Sequence, residues 1–171
     1  DGNNSVISEY VPVYFEEATD ELWYASTDKN IVKPWLNDSF NENIISNTYD
    51  NGIGILKFDT TLTSIGENAF SSRENLKSVL IPTTVTSIGN EAFSSCRALT
   101  SIDIPKHFTE LADGVFSGCS GLTSIEIPSG VTEIEMATFY GCKGLTSIEI
   151  PEGVTSIGIN AFNNCTGLTS I

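Results

Sequence analysis

Apolar residues in this chain recur on a fixed beat. Phe stands at 70, 93, 116, 139 and 162, each 23 residues after the last, and Leu keeps the same step at 76, 99, 122, 145 and 168. Pro82, Pro105, Pro128 and Pro151 follow it, as do Cys96, Cys119, Cys142 and Cys165. Each unit reads L-x-x-I-x-I-P-x-x-V-T-x-I-G-x-x-A-F-x-x-C-x-x, and the stretch GLTSIEIP occurs twice, at 121–128 and 144–151. A fixed period of this length marks a stacked array, in which no unit can bury its apolar row alone.

Within a unit, the pattern changes from period two to a compact turn. Ile125 and Ile127 lie two apart, so in a strand both face one side and Glu126 the other. Pro128 ends that strand, because it has no N–H for a ladder. Val131 to Ile134 predicts a second short β piece, and a turn, open to a helical form, carries Phe139 and Cys142 inward before Leu145. Stacked at about 4.8 Å per strand, five such coils make a β-rich solenoid over 53–171 roughly 25 Å long.

Residues 1–52 escape the period. Tyr10 to Phe15 and Glu21 to Ser26 are strand-like, Thr27 to Asn30 turn-like, and Ile31 to Lys33 suits a returning strand. Asn43 to Tyr49 and Ile53 to Phe58 flank Asp50-Asn51-Gly52, which is strong hairpin chemistry. Ile53, Leu56 and Phe58 align with Leu76, Val79 and Ile81, so the hairpin is expected to feed straight into the array. This segment reads as a β module, 1–52, capping the first coil, since an open end exposes core and strand edge.

The repeat unit resembles the BspA-type leucine-rich repeat of bacterial surface proteins, strongly over 53–171. Upstream, ELWYASTDKNIVKP and NIISNTYDNGIGILKFD are similar to the leader of such repeats in secreted Bacteroides-like proteins. The resemblance implies a curved solenoid, an extracellular or outer-surface location, adhesion to a host or neighbouring-cell surface or matrix protein or glycan, and no enzymatic activity. Departures from the pattern are local: Arg73 replaces the first Cys, Asp59 the first Pro, Leu80 a polar strand residue, and Glu135 a Gly.

Composition narrows the partners. Twenty-two acidic residues against eight basic give a formal net charge of −14, which disfavours nucleic acid and anionic lipid by long-range repulsion. No run of about 18 apolar residues exists to cross a membrane. The opening DGNNS reads as a trimmed product whose signal peptide or lipid anchor has been removed. The other end stops in mid-strand at Leu168 to Ile171, which fits either a fragment or natural short form, or an edge-mediated dimer through the last coil.

Candidate chemistry is sparse. Zinc ligands come as close pairs, whereas these cysteines are 23 apart beside one His, so no metal site or cofactor is expected. Stacked inward thiols have Cβ atoms near 5 Å apart, wider than a disulfide prefers, and read as a free-thiol ladder. His107 reads as an exposed turn residue, and no hydrolase, P-loop, zinc-protease or EF-hand motif occurs. No catalytic residue is assigned. The outward strand column Lys57, Leu80, Asp103, Glu126, Glu149, flanked by Ser101, Ser124 and Ser147, is the candidate partner-binding strip. Its carboxylates should repel unless a basic partner neutralises them. No aromatic is expected on that column, so Trp23, Tyr24 and Trp35 are the candidate anchors elsewhere, or else core of the first module. A binding module is thus the leading reading, a structural spacer displaying another domain the rival, and a hydrolase on a flat ladder a distant third.

Overall fold

The computed structural model describes residues 18–35, 40 and 43–170. The strand expected at Tyr10 to Phe15, like Ile171, lies outside them. Nine strands, and no helix among the described residues, form the framework. They are β1 (Glu21–Ser26), β2 (Ile44–Asp50), β3 (Ile53–Phe58), β4 (Ser64–Ile65), β5 (Leu76–Leu80), β6 (Ser87–Ile88), β7 (Ser101–Asp103), β8 (Glu133–Ile134) and β9 (Ser156–Ile157). The architecture is the β-rich repeat solenoid expected from the period.

Stacked side chains fill the interior. Phe70, Phe93, Phe116, Phe139 and Phe162 form one column with neighbouring ring centroids 5.4 to 6.0 Å apart, near-parallel throughout. Phe40 closes it edge-on against Phe70. Beside the rings runs the thiol ladder. Each Cys Sγ–H points to the carbonyl of the Phe one coil back, from Cys96 to Phe70 at 3.0 Å through Cys165 to Phe139 at 2.9 Å. All four thiols are free. Burial pushes Cys96 and Cys142 up to about 12 and raises Cys119 well above the ordinary thiol value, so at neutral pH they are protonated, unreactive filler.

The turn that carries Phe and Cys is not helical. Two residues per coil take left-handed backbone: Asn68, Glu91, Gly114, Ala137 and Asn160 at the first position, then Ser72, Ser95, Gly118, Gly141 and Asn164 at the second. Those twists aim every second N–H of the turn at the next coil. Three hydrogen-bond ladders result, for instance Asn68 to Asn90, Phe70 to Ala92 and Ser72 to Ser94. They continue through all five Phe coils at 2.6 to 3.0 Å.

The short β piece predicted between Pro and Phe forms a second, thinner ladder. β4 pairs in parallel with β6, Leu111 bridges Ile134, and β8 pairs with β9. Between Ile88 and Leu111 no pairing occurs among the described residues. Glycine packs tightly along this ladder. Gly89 donates to the Ile65 carbonyl at 2.7 Å, and a Cβ there would sit 2.5 Å from the Glu67 nitrogen. Gly158 approaches Ile134 and Met136 just as closely. The equivalent residue of the Phe116 coil is Ala112, but a side chain at this position does not by itself bar pairing, since Glu135 holds it where Leu111 bridges Ile134.

The first coil departs most from expectation. The hairpin forms as read, with Asn51 and Gly52 at positive φ and Asp50 opposite Ile53. It does not stack directly on the array, however. β1 inserts antiparallel between β3 and β5, giving the sheet order β2-β3-β1-β5-β7. Ile31 to Lys33 is not a strand; Val32 is buried and its N–H donates to the Tyr24 hydroxyl. Arg73, where later coils carry Cys, lays its guanidinium 4.4 Å over the Trp35 ring, and the Trp35 indole N–H donates to the Ser71 carbonyl. Among the described residues the buried Arg73 Nε has no hydrogen-bond partner and no carboxylate pairs with the guanidinium, so the ring is the contact that holds the cation there.

Candidate functional site

Registered strands put the candidate strip on one face. β5 and β7 align Ser78 with Ser101 and Leu80 with Asp103, and alternation points Asp103 outward while Ile102 and Ile104 are buried. Glu126 and Glu149 continue the column, exposed between buried Ile125 and Ile127 and beside buried Ile148. Ser101, Asp103, Ser124, Glu126 and Glu149 line one groove of about 890 Å³. Ser147 falls outside it, in a shallower depression with Glu149 and Ser170. The face is therefore concave at this place, with Pro128 and Pro151 also in the groove's lining.

The sheet itself thins under these carboxylates. Strand pairing runs from β5 to β7, lapses at Leu122 to Ile127, and returns only as a Ser147 to Ser170 bridge. Like charges opposite one another weaken a ladder, and the lapse coincides with the Asp103, Glu126, Glu149 stack. Desolvation, then the nearby Glu126 charge, holds the Asp103 carboxyl above the usual carboxylate range. Among the described residues no ion pair reaches these three acids; the bridges present join Lys57 to Asp20 and Glu21, and Arg97 to Glu74. Lys106 and Glu152, absent from the sequence reading, also line the groove.

Two expectations for the column need correction. Lys57 is not the neighbour of Leu80, because β1 lies between them and sets Lys57 opposite Glu21. An aromatic does stand on this face. The two registers of β1 place Trp23 between Ile55 and Leu80, in the row that continues to Asp103. Its indole N–H donates to Glu21 Oε2 at 2.9 Å. The sequence signal was the alternation Glu21, Trp23, Ala25 against Leu22, Tyr24, but the strand's position was not readable from it.

The other candidates resolve as structure. Tyr24 is wholly buried, its hydroxyl donating to Asn47 Oδ1 at 2.7 Å. Trp35 is 50% exposed but occupied by Arg73. His107 is exposed in its turn, with Nε2 2.7 Å from the Val85 carbonyl. The described residues hold no grouping of His, Cys, Asp and Glu suited to a metal ion, and no helix long and apolar enough to cross a membrane.

Known proteins supply the context. A solved leucine-rich cell surface protein of Faecalibacterium prausnitzii matches at 45% identity and TM-score 0.63, over 66% of this chain and 30% of that one. The T. pallidum leucine-rich repeat protein matches at 32% identity and TM-score 0.60, over 63% of this chain and 50% of that one. A leucine-rich repeat protein of Bacteroides ovatus matches at 36% and 0.53, over 57% and 25%. This chain thus spans between a quarter and a half of the length of these relatives. Among curated proteins nothing matches it. The model of the BspA-type leucine-rich repeat region fits residues 41–171 in six copies, and the chain belongs to that family.

Proposed function

We propose that this chain is a non-enzymatic binding module of a bacterial cell-surface protein, acting through the outer face of its sheet. The observation that carries the reading is the Leu80 to Asp103 register, which joins an apolar row, Ile55, Trp23 and Leu80, to a groove lined by Asp103, Glu126 and Glu149. Apolar side chains next to unneutralised carboxylates suit a partner carrying an aliphatic anchor beside basic side chains. The description of the Faecalibacterium prausnitzii relative as a cell surface protein and the net charge of −14 agree with a host or neighbouring-cell protein, or a glycan bearing amines, as that partner.

Binding of the chain to immobilised matrix proteins and glycans tests it. Changing Asp103, Glu126 and Glu149 together to Ser should abolish capture, and raising salt should weaken it in the parent. Capture unaffected by the triple change would move the site elsewhere. A parent chain that captures nothing would favour the spacer role.

A further inference from the structure

We propose that Trp35 is a stopper that keeps a second molecule of this chain from stacking its array onto the Phe70 coil. The turn-side ladders have a polarity. Each coil sends three N–H groups forward and offers three carbonyls backward, so Asn90, Ala92 and Ser94 receive the amides of Asn68, Phe70 and Ser72. One period earlier the same carbonyl row belongs to Glu67, Ala69 and Ser71, and no Phe coil precedes it. Trp35 fills two of those three places, its backbone N–H donating to Ala69 and its indole N–H to Ser71, both at 2.9 Å. A single residue thus supplies, from backbone and side chain, rungs that elsewhere come from two residues of a coil.

The rest of this coil is closed in the same manner. β1 lies antiparallel on β5, and Phe40 bridges Ile65 antiparallel, whereas coil follows coil in parallel. The Phe40 ring meets Phe70 edge-on at 77°, whereas Phe93 stacks on Phe70 at 4°. Each of these contacts breaks the translation by which one coil seats the next. Arg73 belongs to the same device. Later coils carry Cys here, whose Sγ–H uses the carbonyl of the Phe one coil back. No such Phe precedes Phe70, and Arg73 lies on the Trp35 ring instead. The indole is nevertheless half exposed, so it seals the coil from outside and is not part of the core.

The polarity also says what is kept out. A bare carbonyl row fits a row of outward N–H groups, and the Phe162 coil carries one: the amides of Asn160, Phe162 and Asn164 bond to no acceptor among the described residues. The two rows match because both are copies of one unit. Two arrays meeting through their Phe162 coils would set N–H against N–H on this side. The order excluded by Trp35 is therefore head to tail, a contact that does not close on itself and would run on into filaments.

Sedimentation velocity of the whole chain across a range of concentrations tests this. The parent should stay monomeric. Trp35→Ala should self-associate, roughly tenfold or more above the parent, and the amides of Asn160, Phe162 and Asn164 should gain protection from hydrogen exchange as it does. Trp35→Phe keeps a ring beside Arg73 and frees only the Ser71 carbonyl, so it should associate less than Trp35→Ala. It is also the variant to read where circular dichroism shows that Trp35→Ala has lost its fold. Folded Trp35 variants as monomeric as the parent, a parent that associates as strongly as they do, or association without that gain in protection would overturn the proposal.

Discussion

The two sides of each coil are built to different tolerances. On the turn side, three backbone ladders and a phenyl column pass through five coils without a gap, and a thiol ladder through the last four. On the strand side, pairing stops at Leu122 to Ile127 in the sheet and between Ile88 and Leu111 in the thin ladder. The first lapse coincides with carboxylate stacked over carboxylate. The comparison teaches that the turn side carries the stacking, which leaves the strand side free to vary its side chains.

Breaking the turn side should cost most. Phe116→Ala removes a ring stacked at 6.0 and 5.8 Å on its neighbours, and should lower stability by about 3–5 kcal/mol in denaturant unfolding. On the strand side, Gly89→Ala would drive a methyl into the Glu67 backbone, at a cost of about 1–3 kcal/mol. A melt unchanged by Gly89→Ala would contradict the close approach at this position. A smaller and opposite effect should follow Ala137→Gly. Ala137 is held at φ 54°, a conformation that disfavours any side chain, so glycine should stabilise by about 1 kcal/mol.

The smallest effect concerns acid. Asp103 and Glu135 have carboxyls raised in the folded state, so the folded chain takes up protons before the unfolded one does. Stability should therefore rise slightly as pH falls through their raised values toward the ordinary carboxylate range. Asp28 and Asp59 are lowered instead, chiefly by hydrogen bonds from Asn75 and Asn43, and their contribution is lost only at more acid pH. A thermal melt series from neutral to mildly acid buffer reads the balance. Asp103→Asn should flatten the rise, and a monotonic fall from pH 7 would contradict it.

Most of the turn side was legible in the sequence, because a column of identical residues can be read only one way once the period is known. The hairpin was legible through Asn51-Gly52. What escaped reading had no period. β1 comes from outside the repeat, and nothing in Glu21 to Ser26 says that it lies beside Leu76 to Leu80 and not at an edge. The acids of the groove were found from alternation, but Trp23, their neighbour in the row, depended on that hidden placement.

The insertion of β1 also sets an order of events during synthesis. Its partner Leu76 lies about fifty residues downstream of Ser26, so the strand must wait, one edge unsatisfied, until that segment has left the ribosome. Each later coil, by contrast, needs only the coil before it. The slow, long-range closure is thus confined to the start of the chain, and once it is made the remainder can wind on as fast as it emerges.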